Sequence, residues 1–191
     1  MSETTSPAAS FSLAPARDLG LPAADEYGHH HARYITLVPP GDILVTLAGQ
    51  IEETLAILRG VPEAEAVRRH PPYQWSLKEV IGHVTDTERI FAYRALRFAR
   101  KDPTPLPAFE QNDYVASAHF DTRPLAALLA EFVAVRQATL ALFRGLDADA
   151  WLRRGIASGT SVSVRAIAHI IAGHERHHAA VLRARVEGPT E

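Results

Sequence analysis

The sequence contains no cysteine among its 191 residues. Disulfides, cysteine-ligated zinc sites, iron–sulfur clusters and cysteine nucleophiles are therefore all excluded. Any transition-metal site would have to use histidine and carboxylate ligands. A thiol nucleophile, if the chemistry needed one, would have to come from a small molecule.

An excess of one charge and long apolar runs are also missing. The 20 basic and 22 acidic residues give a formal net charge of −2, whereas nucleic-acid binding usually needs a basic excess that neutralises phosphates. No apolar run approaches the roughly 20 residues that span a bilayer, and the first residues lack the apolar segment of a secretory signal. We therefore expect a cytoplasmic protein that binds neither nucleic acid nor membrane.

What the sequence does contain is enough apolar material for one domain, because hydrophobic residues make up 47% of the chain. The chain begins with a stretch rich in Ser, Thr, Pro and Ala. We predict a flexible arm over residues 1–33, one helical domain over 34–187 and a tail over 188–191.

Apolar residues recur at three- and four-residue spacing in four segments, which predicts four long amphipathic helices. The predicted helices lie near residues 42–59, 77–100, 122–144 and 162–186. A run of prolines excludes helix across 102–110, short helical turns are expected near 112–118 and 147–152, and no strand is predicted. This pattern indicates an all-α four-helix bundle, with loops long enough for a crossover connection.

The fourth predicted helix carries several of the ten histidines. At about 100° per residue, His174 and His178 lie roughly 40° apart on its apolar face. Two buried imidazoles need polar partners, and a shared metal ion is the interpretation that satisfies both; ordinary core histidines are the alternative. His177 lies at the margin of this face, and His169 lies roughly 140° from His174 and is predicted to be solvated.

A third ligand has to come from another helix. His83, on the second predicted helix, is the candidate, and Asp86 and Glu88 are weaker alternatives. The stretch from His174 to His178 also matches the HExxH pattern of zinc peptidases. Such enzymes usually take their third ligand from downstream, and only 13 residues follow His178, so this interpretation is weak.

Together these motifs resemble the DinB-like metal-binding superfamily over about residues 34–186. The resemblance is carried by Trp75-Ser76-Leu77-Lys78-Glu79-Val80-Ile81-Gly82-His83-Val84, Asp86-Thr87-Glu88-Arg89, Arg94-Ala95-Leu96-Arg97-Phe98-Ala99-Arg100, Thr104-Pro105-Leu106-Pro107 and Gly173-His174-Glu175-Arg176-His177-His178.

This resemblance implies a four-helix bundle with a crossover connection and a divalent metal held by His83, His174 and His178. It also implies a homodimer. Some members are S-transferases that depend on bacillithiol, mycothiol or glutathione, and others are mycothiol-dependent isomerases. Zinc or nickel is the expected metal, with iron or manganese as alternatives.

Three functions follow from these expectations. The first is a metal-dependent transferase that activates a low-molecular-weight thiol for attack on an electrophile, since three histidines with an open position are typical of catalytic sites. The second is a metal-dependent hydrolase with Glu88 or Glu175 as general base. The third is a non-catalytic, stress-linked metal-binding or interaction protein.

Other conspicuous residues are given structural interpretations. The run His29-His30-His31 is predicted to be solvated. Two charged groups are predicted to form solvated faces and salt bridges, namely Asp86-Glu88-Arg89 and Arg94-Arg97-Arg100-Lys101. Trp75 and Trp151 are predicted to be packing anchors. The proline-rich loop 102–110, with Tyr114, is either a cover for the metal or a simple connection.

Overall fold

The computed structural model describes residues 19–187. In chain order the helices are α1 (Ala32–Ile35), α2 (Ile43–Leu58), α3 (Glu63–Ala66), α4 (Leu77–Ala99), α5 (Gln111–Ala118), α6 (Leu125–Arg144), α7 (Ala148–Leu152) and α8 (Val164–Glu187). Strands β1 (Arg154–Ala157) and β2 (Thr160–Ser163) lie between α7 and α8. The four long helices α2, α4, α6 and α8 confirm the predicted ones.

Local capping interactions set where the long helices begin. The Asp42 carboxylate accepts a hydrogen bond from the Leu44 amide at the start of α2. Ser76 and Glu79 form the predicted capping box at the start of α4, each side chain accepting from the other residue's amide, at 3.0 and 2.8 Å. At the start of α8 the Ser163 hydroxyl accepts from the Ala166 amide. These short polar side chains satisfy amides that have no partner within the helix.

The four long helices form a bundle in which consecutive helices are not all neighbours. The main contacts join α2 to α8, α8 to α4, α4 to α6, and α6 back to α2. The chain therefore crosses the bundle diagonally between α2 and α4, and again between α6 and α8. This order confirms the predicted crossover and makes α4 and α8 direct neighbours.

A small hairpin corrects the prediction that the chain forms no strand. β1 and β2 pair antiparallel, with Ser158 and Gly159 at the turn. Both turn residues have positive φ, 53° and 75°, as tight two-residue hairpin turns require. Gly155 lets β1 lie against Phe98, whose ring would be 2.1 Å from an added Cβ. Strands of four residues are too short to show a clear alternating pattern in the sequence.

By length and composition alone, helix α6 is apolar enough to cross a membrane, although Glu131 and Arg136 interrupt its apolar sequence. In the structure it serves as a bundle helix that packs against α2 and α4. Its Arg136 side chain is fully buried and forms ion pairs with Glu88 of α4 and Glu175 of α8.

The chain is packed onto the bundle from Leu19 onward, so residues 19–33 are not the loose arm expected from their composition. Short 3₁₀ turns occupy Ala24–Glu26 and His29–His31. The Glu26 carboxylate is 4% exposed and accepts hydrogen bonds from Ser163 and Arg165 at the start of α8. Residues 1–18 of the predicted arm and the predicted tail 188–191 lie outside the described residues.

We predict that Glu26→Gln destabilises the fold at neutral pH. Burial acts to raise the pKa of Glu26, but hydrogen bonds from Arg165 and Ser163 outweigh it and lower this pKa from 4.5 to about 2. A lowered folded-state pKa gives stability that is present above pH 4.5 and is lost as the pH falls toward 2. The loss in unfolding free energy should be about 2–3 kcal/mol at pH 7.

Urea unfolding of both proteins between pH 7 and pH 3 measures this difference. The matched control is Asp25→Asn, which removes an exposed carboxylate that pairs with Arg154 and should cost well under about 1 kcal/mol. A Glu26→Gln deficit that stays constant as the pH falls would contradict the assignment.

Candidate metal centre

Three histidines converge between α4 and α8. His83 comes from α4, and His174 and His178 come from successive turns of α8. One ring nitrogen from each lies within 4.8 Å of the others, and the Nε2 atoms of His83 and His174 are 3.1 Å apart. The structure therefore brings together the three histidines singled out in the sequence. That they bind a metal remains a prediction.

Neighbouring side chains hold these rings in place. Thr87 Oγ1 lies 3.4 Å from His83 Nδ1, and the Trp75 ring centroid lies 4.8 Å from that of His83. On the other side, the Tyr34 ring meets His174 edge to face at 5.3 Å. Gly173 permits this approach, because a Cβ there would be 2.0 Å from the Tyr34 carbonyl oxygen.

Burial keeps the three imidazoles neutral at physiological pH. It lowers the pKa of His83 to about 4. Burial, together with the repulsion that a protonated ring would meet from neighbouring protonated histidines and from Arg33, lowers the pKa of His178 to about 3 and that of His174 well below its usual range. A neutral imidazole has a free lone pair, which is the form that binds a metal.

The three rings fit a divalent ion. In a tetrahedral site, two nitrogens at about 2.0–2.1 Å from one ion are about 3.4 Å apart. The 3.1 Å between the Nε2 atoms of His83 and His174 is already close to this value, and the most separated pair would have to close by at most about 1.4 Å. The Nδ1 atom of His178 is buried and has no hydrogen-bond partner among the described residues. An all-nitrogen set of this kind suits zinc, nickel, copper or iron better than magnesium or calcium.

The remaining histidines lie outside this cluster. His177 is exposed, with its ring 5.7 Å from that of Tyr34. His29 and His30 are exposed as expected, whereas His31 is half-buried and its ring meets Phe91 at 5.9 Å. His119 and His70 are not part of the cluster, and His70 Nε2 lies 2.6 Å from Glu65 Oε1 instead.

His169 corrects a prediction, because it is 2% exposed and not solvated. Its Nδ1 atom lies 2.9 Å from the Arg165 carbonyl oxygen. The prediction assumed that one face of α8 would meet solvent. Instead α8 contacts α1, α2, α4, α7 and β2, so its first half is enclosed on nearly all sides.

Both carboxylates considered as general bases are tied to Arg136. Arg136 donates to the two oxygens of Glu88 at 2.8 Å each, and its Nη2 lies 2.6 Å from Glu175 Oε2. Glu175 also accepts a hydrogen bond from Thr54 at 2.6 Å. Burial raises the pKa of Glu175, although the Arg136 charge opposes this. The sequence analysis did not identify Arg136. The feature that could have indicated it is its position on the apolar face of α6, four residues after Phe132.

Arg94 corrects the prediction of a solvated basic face, because it is only 5% exposed. It donates hydrogen bonds to the Pro107 carbonyl and the Ser158 hydroxyl, so the proline-rich loop is held against α4. Arg100 and Lys101 are exposed as predicted, and Arg97 is half-buried.

The two tryptophans have different surroundings. Trp151 is buried and stacks on Phe143 at 5.1 Å, which confirms its interpretation as a packing anchor. Trp75 is half-buried against His83, so it packs directly on the candidate metal centre.

The fold and the site define a four-helix bundle with crossed connections and three histidines between its second and fourth long helices. The model of the DinB superfamily matches residues 46–182, and the chain belongs to this superfamily. The resemblance noted in the sequence is thereby confirmed. No curated protein sequence matches the chain.

Two solved structures share the fold. One is YfiT from Bacillus subtilis, described as a probable metal-dependent hydrolase with an unusual four-helix bundle topology; the TM-score is 0.62 at 13% identity, covering 87% of this chain and 89% of YfiT. The other is the mycothiol-dependent maleylpyruvate isomerase, with a TM-score of 0.65 at 16% identity. That match covers 78% of this chain and 62% of the isomerase.

We predict that His83→Ala, His174→Ala and His178→Ala each abolish most metal binding. Removing one of three ligands leaves two, which should weaken affinity by orders of magnitude. His177→Ala is the matched control on the same helix and should retain the metal, or lose at most about tenfold to 100-fold in affinity. Metal content after dialysis against a weak chelator, measured by elemental analysis on untagged protein, provides the test.

Two outcomes would contradict the assignment. Full retention by His83→Ala would show that α4 supplies no ligand. Loss in His177→Ala as complete as in His178→Ala would show that a different face of α8 holds the ion.

Proposed function

We propose that this protein is a divalent-metal-dependent enzyme that brings a low-molecular-weight thiol and an electrophile together at His83, His174 and His178. The observation that carries the proposal is the convergence of three neutral imidazoles, two buried and one half-buried, without a fourth protein ligand among residues 19–187. Three protein ligands with one free position are typical of catalytic metal sites, whereas structural sites are closed by four.

The three imidazoles would hold the ion, for which Zn²⁺ and Ni²⁺ suit the donor set best. When bound there, the ion supplies a Lewis acid that lowers the pKa of a thiol or water at the free position. His178 is less buried than His83 and His174. The free coordination position would therefore lie on the side of the cluster nearest His178. Thr87 and Trp75, which contact His83, orient its ring for this task.

The surroundings of the site favour a thiol over water as the nucleophile. A metal-dependent hydrolase in which a side chain deprotonates the reacting water needs a general base near that water, and Glu88 and Glu175 were the candidates for that role. Both are engaged by Arg136 in the bundle core, so neither carboxylate is free to move a proton. A thiol ionises at a much lower pH than water and needs no protein base once its pKa is lowered.

Apolar side chains beside His174 would keep water away from the reaction. Val84, Phe91 and Ile171, together with Thr87 and the Arg136-bound Glu88, line a narrow crevice next to this ring. A dry crevice protects an activated thiol from protonation and strengthens electrostatic interactions within it.

The relatives support both of the enzymatic candidates. The isomerase with this fold is described as mycothiol-dependent, which agrees with a thiol cosubstrate. YfiT is described as a probable metal-dependent hydrolase, which keeps hydrolysis as the second candidate. The homodimer and the cytoplasmic location expected from the sequence stay predictions.

We expect thiol-dependent turnover by the metal-loaded protein. Purified protein loaded with Zn²⁺ or Ni²⁺ is assayed with 1-chloro-2,4-dinitrobenzene in the presence of glutathione, mycothiol or bacillithiol, and thioether formation is followed by absorbance. The rate should exceed the uncatalysed rate at least tenfold with one of these thiols and should fall to background in His178→Ala. His177→Ala, the matched histidine control, should keep the activity.

The same assay distinguishes the alternatives. Hydrolysis of ester or amide substrates without any thiol would replace the transferase by the hydrolase. A firmly bound metal without turnover in either assay would leave the non-catalytic metal-binding protein as the correct description.

A further inference from the structure

A single arginine of α8 holds the connection that leads from α3 into α4. Arg185 lies seven residues after His178, which places the two side chains on the same face of the helix, about two turns apart. Its guanidinium group donates hydrogen bonds to the carbonyl oxygens of Trp75 at 2.9 Å and of Arg68 at 3.1 Å. The guanidinium carbon also lies 5.1 Å from the centre of the Tyr73 ring. The connection therefore folds around this one side chain.

Arg185 joins the connection to α8, whereas another arginine joins it to α4. Residues 67–76 contain neither helix nor strand, so their backbone groups need partners from other parts of the chain. Arg69 forms ion pairs with Glu79 of α4 and with Asp121. In the described part of the chain Arg185 takes part in no such ion pair, and its contacts are with backbone carbonyls and an aromatic ring.

The last residue of the connection before the α4 cap packs on a proposed metal ligand. The Trp75 ring is half-buried, and its centroid lies 4.8 Å from that of His83. A histidine ring turns about a bond with a broad torsional preference, so its orientation depends on its contacts. The contact between His83 Nδ1 and Thr87 Oγ1 is 3.4 Å, longer than the roughly 2.7–3.2 Å of a strong hydrogen bond. Packing by Trp75 therefore supplies orientation that this long contact does not supply alone.

We propose that Arg185 is a positioning residue of the metal centre, which holds the Trp75 ring against His83 by binding the carbonyl groups of Arg68 and Trp75. Groups that keep a metal-binding imidazole aligned typically contribute about tenfold to 100-fold to metal affinity. The planar fork of an arginine reaches two carbonyls at once, which the point charge of a lysine does not. The inference needs the metal centre but no particular reaction, so it goes beyond the thiol chemistry proposed above.

Metal affinity distinguishes positioning from simple electrostatics by the sign of the effect. A cation near the site repels a divalent ion, so charge removal alone would tighten Zn²⁺ binding in Arg185→Met. Positioning predicts the reverse, a loss of about tenfold to 100-fold. Arg185→Lys keeps the charge without the fork and should lie between wild type and Arg185→Met. Competition with a chromophoric chelator at neutral pH measures these affinities.

The matched control is Arg183→Gln, which removes an exposed arginine of the same helix that lies 3.8 Å from Glu187. It should bind Zn²⁺ as wild type does. Unchanged or tighter Zn²⁺ binding in Arg185→Met would overturn the proposal, as would a loss of the same size in Arg183→Gln.

A double-mutant cycle shows whether Arg185 acts through Trp75. Trp75→Ala alone should weaken Zn²⁺ binding, and adding Arg185→Met to it should cause no further loss, because the ring that Arg185 holds is already gone. Two losses that simply add would mean that Arg185 acts by another route and would contradict the proposal.

Tryptophan fluorescence gives a measurement that needs no metal. In metal-free protein, Arg185→Met should make the Trp75 ring more accessible to acrylamide and shift its emission to longer wavelength. The chain has two tryptophans, so the emission of Trp75 is obtained by subtracting that of the matching Trp75→Ala protein, which retains Trp151. Unchanged quenching would overturn the proposal, since the ring would then be held without Arg185.

Further outcomes separate this inference from the proposed function. If Arg185→Met fails to fold, as judged by circular dichroism, Arg185→Lys carries both measurements. A wild-type protein that binds no Zn²⁺ would overturn the metal centre and this inference together. Metal binding without turnover would contradict the proposed function and leave the role of Arg185 intact.

Discussion

The buried Arg136 side chain is the interaction on which the arrangement of the bundle depends. From α6 it binds Glu88 of α4 through two hydrogen bonds, contacts Glu175 of α8, and donates to the Leu47 carbonyl of α2. One guanidinium therefore joins all four long helices. Removing it would leave two buried carboxylates without a counter-charge, at a cost of about 3–5 kcal/mol, so the relative positions of the helices are strongly fixed.

The same ion-pair network places the candidate metal centre and defines its charge. Glu175 directly follows His174, and Glu88 lies little more than one turn beyond His83, so fixing the two carboxylates also fixes the two ligand-bearing helix segments against each other. Because Arg136 engages both carboxylates, the three neutral imidazoles of the site have no unpaired carboxylate beside them among the described residues. Such a site suits a metal ion that binds an anionic ligand. It does not suit a mechanism in which a carboxylate side chain acts as the base.

Sequence reasoning found what depends on helical periodicity and missed what depends on packing between elements. The four-residue spacing of His174 and His178 predicted that they share one face of a helix. His83, on a second amphipathic helix, was then the candidate for the third ligand. Arg136 was not identified, since an arginine on an apolar face becomes informative only when the facing carboxylates are known. His169 and Arg94 were predicted to be solvated because the sequence does not show that α8 is enclosed or that the loop after α4 folds back. The docking of Glu26 joins residues more than 130 positions apart, which no local pattern indicates.

The central claim is that one divalent ion binds between α4 and α8 through three histidines. Crystals of the metal-loaded protein, measured above and below the absorption edge of zinc or nickel, test it most directly. The account predicts one anomalous peak at about 2.0–2.2 Å from a ring nitrogen of each of His83, His174 and His178. An ion bound instead at the exposed His29 and His30, or bound by carboxylates without His83, would contradict it.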